Sequence, residues 1–187
     1  VMQTAIFWCL TLTEEQAQLA VKYNLVVVAD EVYDRLVYGG HKHICFANFP
    51  RMKEHTVLLG GFSKAYAMTG WRIGFALAPA PILEMMVRIH QYSIMSAPTV
   101  SQVAAIEALR HGEEFVQEMR EEYDRRRRLI VGGFNSLGLP TFEPKGAFYA
   151  FPDIRSTGLD DDTFCERLLY EAKVAMVPGS PNCCELN

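Results

Sequence analysis

The chain has 187 residues, half of them hydrophobic and 21% charged, a balance that excludes a disordered segment and suits a globular protein. Eighteen basic residues against 22 acidic ones leave a net charge of −4, which offers no general attraction to nucleic acid or to an anionic membrane surface. The five cysteines (Cys9, Cys45, Cys165, Cys183, Cys184) form no Cys-x-x-Cys pair and no Cys/His ligand spacing, so neither zinc nor a disulfide framework is expected, and reduced thiols point to the cytoplasm.

Residue 1 is Val, which suggests a fragment that begins inside a longer reading frame or after processing. The apolar run 5–10 is too short to span a bilayer and has no basic flank, so it reads as a strand. Thr13-Glu14-Glu15-Gln16 has the pattern of a capping box opening a helix to about Tyr23. The β-branched run 25–29 then follows as a buried strand, giving a helix–strand unit of a parallel sheet. Residues 39–52 mix Gly, Pro and His without periodicity and read as loop, with His41 and His43 as surface histidines. A second short apolar run, 56–59, is another buried strand, and 71–78 is apolar enough for a third.

Residues 82–95 and 100–110 carry helical spacing, Met85 and Met86 serving as packing, and Gly112 is the terminator. From Glu113 to about Leu137 runs a long charged helix that reads as a connector between domains. Gly132-Gly133 implies a kink or a tight contact there, since each glycine costs about 1 kcal/mol in a helix. Its run Arg125-Arg126-Arg127-Arg128 follows Glu118, Glu121, Glu122 and Asp124, the pattern of a solvated helix face rather than of a nucleic-acid site. Beyond it, 147–151 and 174–177 read as strands and 161–172 as a helix, a small α+β arrangement.

Chemistry concentrates at two strand ends. The run 25–29 ends in Asp30, with Tyr33 three residues later; the run 56–59 leads into Ser63 and Lys64, with Arg72 eight residues on. Ligands of open α/β sheets bind at the carboxyl ends of strands, a lysine there can form a Schiff base, and an arginine can grip a phosphate with a planar fork of donors. For Asp30 alone the rival readings are a helix N-cap and a nucleotide-site acid, and the second lacks its partner, since no Gly-x-x-x-x-Gly-Lys-Ser/Thr is present.

Taken together, Ala29-Asp30-Glu31-Val32-Tyr33, Ser63-Lys64, Met68-Thr69-Gly70-Trp71-Arg72-Ile73-Gly74, Pro98-Thr99-Val100-Ser101-Gln102 and Lys145-Gly146-Ala147-Phe148-Tyr149 resemble the class I/II aminotransferases. The resemblance covers about residues 13 to 180 and is greatest for the bacterial and archaeal aspartate- and aromatic-aminotransferase-like branch. It implies pyridoxal 5'-phosphate (PLP) fold type I: an α/β chain holding part of the PLP-binding large domain, a mostly parallel sheet with flanking helices, over 1–112. A connector helix and truncated small α+β C-terminal domain over 113–187 would follow. It also implies transfer of an amino group between an amino acid and a 2-oxo acid, and a homodimer in full-length form. Lys64 would be the catalytic lysine and the covalent anchor of PLP, Asp30 the partner of the pyridine nitrogen, Tyr33 that of the ring hydroxyl, and Ser63 and Arg72 the phosphate ligands.

Several departures qualify this. Gly61 stands where many relatives have a second phosphate-binding serine. Trp8-Cys9-Leu10-Thr11-Leu12 replaces a turn whose asparagine touches the cofactor. An arginine that clamps the substrate carboxylate would lie beyond Asn187, so the chain alone is expected to be inactive and marginally stable. A PLP-dependent β-lyase, a cyclopropane-carboxylate-synthase-like enzyme or a non-catalytic remnant would share the Lys/Asp/Tyr/Arg set.

Overall fold

The computed structural model of the chain describes residues 3–7 and 13–179. The expected departure at residues 8–12, and the end of the chain from residue 180, lie outside them. Four strands form one sheet in the order β1 (Gln3–Phe7), β2 (Leu25–Asp30), β3 (Thr56–Gly61), β4 (Gly74–Leu77). The first three run parallel, and β4 returns antiparallel to β3.

Helix α1 (Glu14–Lys22) begins with the expected box: the Gln16 backbone N–H donates to Thr13 Oγ1, and the Thr13 N–H donates to Gln16 Oε1. Its inner residues Ala17 and Ala20 pack on Val27 and Ala29 of β2, together with Phe46 and Met52. Phe46 and Met52 are fully buried, and burial of such a side chain is worth about 1.5–3 kcal/mol. Two apolar anchors therefore fix the aperiodic segment 39–52, which includes a 3-10 turn over Phe46–Asn48 and leads into another over Met52–Glu54.

The third expected strand starts later than its apolar run suggests. Thr69–Trp71 winds into a 3-10 turn and Arg72 takes a left-handed backbone (φ 50°), so pairing with β3 begins only at Gly74. Close approach explains the glycines there: a Cβ on Gly74 would lie 2.9 Å from Gly60 O, and one on Gly60 would enter the Phe75 ring at 2.3 Å. Helices α3 (Ala80–Ser93) and α4 (Thr99–His111) follow. Met85 is 54% exposed and α3 has no buried residue, so its methionines are not core. Gly112 does end α4, but with φ −87°; α5 (Glu113–Ser136) starts at once. Helix α5 continues through Gly132 and Gly133, where an added Cβ would meet nothing within 4 Å, so the expected tight contact is absent.

The chain divides into two compact units inside α5 rather than at Gly112. One runs to Arg125 and takes back Lys145–Phe148; the other comprises Arg126–Pro144 and the residues from Tyr149 onward. The first half of α5 stays with the first unit because Glu113 pairs with Arg35, Val116 is buried, and Tyr123 stacks on Phe148.

Two expected strands do not form. Ala147 adopts φ 57°, outside the extended region, and 147–151 joins no strand, with single bridges only on either side of it, at Val37↔Gly146 and Thr141↔Pro152. Residues 174–177 are assigned to no strand, and a strand without a pairing partner is not stable. In the second unit α6 (Asp161–Arg167), capped by Asp160, continues as a π-turn over Leu168–Ala172, so the expected helix over 161–172 changes its winding in the last turn. Arg127 is not on a solvated face: its side chain is 9% exposed and binds Glu143 at 2.6 Å.

Candidate active site

Parallel register places Asp30, the last residue of β2, opposite Leu59 of β3, and the Glu31 N–H donates to Leu59 O at 2.9 Å. The acid thus sits beside the strand whose end leads into Lys64. Asp30 Oδ1 accepts from the Val32 N–H at 3.2 Å, which turns the chain after β2. Directly after β3, the one-turn helix α2 (Phe62–Ala65) buries Phe62 and Ala65, three positions apart, and so leaves Ser63 and Lys64 half-buried on its other side.

The segment 62–73 is closed at its base by pairing of Gly61 with Gly74 and by the Phe62 N–H to Ile73 O bond at 3.4 Å. Ser63 and Arg72 each lie two residues from that glycine pair, so a hydroxyl and a guanidinium rise from one end of one loop. Arg72 Nη1 donates to Thr69 O at 2.8 Å, which uses one of its five donors. Ser101, only 3% exposed, donates from Oγ to Trp71 O at 2.7 Å and ties α4 to the residue before Arg72. The motif 98–102 supplies this anchor, a role that its sequence does not announce.

Tyr33 lies in the turn after β2, its ring edge-on to Phe148 with centroids 5.3 Å apart. Lys64 Nζ lies 5.4 Å from the centroid of the same ring, and Tyr123 stacks on it at 5.5 Å. Lys64 and Tyr33 therefore converge through a residue, Phe148, that sequence reading placed in a motif but not in the site.

Glu31 is a second residue that sequence reading passed over; its only signal was adjacency to Asp30. Strand alternation sends it the other way, where Oε2 meets His43 Nε2 at 2.8 Å and Oε1 accepts from the Phe46 N–H at 2.8 Å. His43, read as a surface histidine, has a side chain only 20% exposed. Glu31, Arg35, His43, Gly60 and Phe75 help line a cavity of about 310 Å³, to which none of Asp30, Tyr33, Ser63, Lys64 and Arg72 contributes.

Burial pushes the Glu31 carboxyl up, but the bonds from His43 and the Phe46 N–H outweigh it and hold its pKa below the usual 4.5. The bond to Glu31 raises His43 above the usual 6.5, against burial. Glu31's contribution is present above pH 4.5 and lost as pH falls through its lowered value. His43's is present below pH 6.5 and lost as pH rises through its raised value. His43→Gln should therefore lower thermal stability at pH 6, by about 1 kcal/mol for such a pair, and by much less at pH 9. Equal differences at both pH values would show that the charge contributes nothing.

The donor set fits PLP: an amine for its aldehyde, a carboxylate for its ring nitrogen, a phenol, and a hydroxyl with a guanidinium for its phosphate. Among the described residues no group of three His, Cys, Asp or Glu could hold a metal ion, and no helix is long and apolar enough to cross a membrane.

Comparison with known proteins shows the family. The family model described as aminotransferase class I and II matches residues 10–186. The aspartate aminotransferase of Pyrococcus abyssi is 50% identical over 169 residues, 89% of this chain and 43% of the relative. Aromatic-amino-acid aminotransferase 2 of Thermococcus litoralis is 48% identical over the same shares. The crystal structure of the aromatic aminotransferase from Pyrococcus horikoshii superposes with a TM-score of 0.87 at 48% identity, covering 89% of this chain and 45% of that one. The chain thus spans less than half the length of the relatives it matches.

Proposed function

The chain belongs to the class I and II aminotransferase family, and on that premise we propose that it carries the PLP-holding part of an enzyme that moves an amino group between an amino acid and a 2-oxo acid. The observation that supports this most is the closed segment 62–73, which brings Ser63, Lys64 and Arg72 to the end of β3 while β2 delivers Asp30 beside it. When bound, PLP supplies an electron sink for charge that develops at the substrate's α-carbon.

The chain's own groups have separable tasks. Lys64 Nζ would be the covalent attachment point and, when free, the base for the proton on the substrate's α-carbon. Asp30 would accept a hydrogen bond from the pyridine nitrogen, and the Tyr33 phenol would donate to the ring oxygen. Ser63 Oγ and the remaining Arg72 donors would hold the phosphate, where charge-assisted bonds are about twice as strong as neutral ones.

Homodimerisation belongs to the same reading. It is supported by the apolar residues that α3 and α4 expose, among them Ile89 at 69%, Tyr92 at 94% and Val103 at 56%. So does a cytoplasmic location, with Cys45 and Cys165 unbridged.

Borohydride reduction after PLP treatment, followed by peptide mapping, tests the reading directly: the label should fall on Lys64. A label confined to another lysine would overturn it. Arg72→Ala should weaken PLP binding by about 1.5–3 kcal/mol, the worth of a charged hydrogen bond, as read by fluorescence titration. An unchanged affinity would place the phosphate elsewhere.

A further inference from the structure

The segment Lys145–Phe148 has no regular structure, yet it is stitched to residues 36–38. The Tyr38 N–H donates to Lys145 O at 2.9 Å and the Ala147 N–H to Leu36 O at 2.9 Å. The buried Tyr38 hydroxyl donates to Ala147 O at 2.6 Å. Between these bonds Ala147, 3% exposed, is held at φ 57°, a region that residues with a Cβ rarely occupy. Such a conformation persists only where its surroundings over-determine it, and such residues cluster at functional sites.

The strain has a visible product, the direction of the next side chain. Phe148 turns its ring between Tyr33 and Tyr123 and against Lys64 Nζ. Core filling does not account for this, because Phe148 remains 41% exposed. A lysine nitrogen 5.4 Å from a ring centroid is within cation–π range, and the ring face attracts the ammonium form.

We propose that Phe148 is a positioning residue for Lys64: its ring face receives the ammonium group whenever Lys64 is not covalently engaged, keeping the nitrogen at the β3–α2 junction. The role rests on reading Lys64 as the cofactor lysine. A four-carbon stem released from its bond has many rotamers, and an aromatic face that gathers the ammonium restricts them. Tyr38 acts one step further back, by holding Ala147 and so aiming the ring.

The test measures the reactivity of Lys64 in the chain without added PLP. Wild type and variants are exposed to limiting acetic anhydride at pH 7.5, and acetylation of Lys64 is quantified by mass spectrometry against Lys22 and Lys53. Phe148→Leu and Phe148→Met remove the π-face but keep apolar bulk, and should raise Lys64 acetylation about two- to fivefold, the range that a partly exposed cation–π contact spans. Phe148→Tyr and Phe148→Trp should stay near wild type, and Tyr38→Phe should fall between. Circular dichroism checks the fold, and Met replaces Leu in the comparison if Leu does not fold.

Equal acetylation in wild type and the apolar variants would overturn the proposal. So would an equal rise in the apolar and aromatic variants, which would mark Phe148 as packing only. Because the labelling needs no cofactor, the two readings fail separately. A PLP label mapping away from Lys64 would sink the cofactor assignment, whereas a flat acetylation series with the label on Lys64 would sink only the role of Phe148.

Discussion

Lys64→Ala should abolish the reduction-stable PLP label on the chain. It should also lower transamination by about 10²–10⁴-fold, the usual contribution of a positioned proton-transfer group. The turnover is best read in a chimera in which this chain replaces the matching segment of a relative, with PLP, an amino-acid donor and 2-oxoglutarate. Two losses coincide in this variant. The amine is the only nucleophile that α2 offers on the side away from Phe62 and Ala65 apart from the Ser63 hydroxyl, and it is also the group we propose as the base for the α-proton. Lys64→Arg keeps the charge but provides no amine, so it should fail equally. Retained turnover in either variant would assign the chemistry to another residue.

Asp30→Ala should leave PLP bound through Lys64 and Arg72 while turnover falls by about 10²–10³-fold, the cost of removing one preorganised electrostatic partner. Asp30 also has a structural task, since Oδ1 accepts from the Val32 N–H and shapes the turn that carries Tyr33. Asp30→Asn separates the two roles: it keeps an acceptor for Val32 but cannot hold a proton on the pyridine nitrogen. The prediction is that Asn fails nearly as badly as Ala in turnover while matching wild type in melting temperature. An Asn variant with wild-type turnover would reduce Asp30 to a turn residue.

Much of the candidate site was legible in the sequence because its signals are local. The capping box at Thr13 and Gln16, the β-branched run that ends in Asp30 and the short spacing from Lys64 to Arg72 each depend on residues near in the chain. Period and propensity therefore suffice for α1, β2 and β3, and strand ends suffice to bring Asp30 and Lys64 to one edge of the sheet. What the sequence could not decide is what depends on distant partners. The 147–151 run has the composition of a strand, but Tyr38 and Leu36 hold Ala147 in a left-handed conformation, and a strand needs a ladder that this backbone cannot join. His43, in a segment without periodicity, is drawn in by Glu31, which turns away from Asp30 to meet it. Phe148, 84 residues from Lys64 in the chain, reaches it only because that same strap folds back onto the segment after β2. Short-range patterning thus determined which groups are candidates for the chemistry, whereas long-range hydrogen bonds and aromatic contacts decided which residues lie against them.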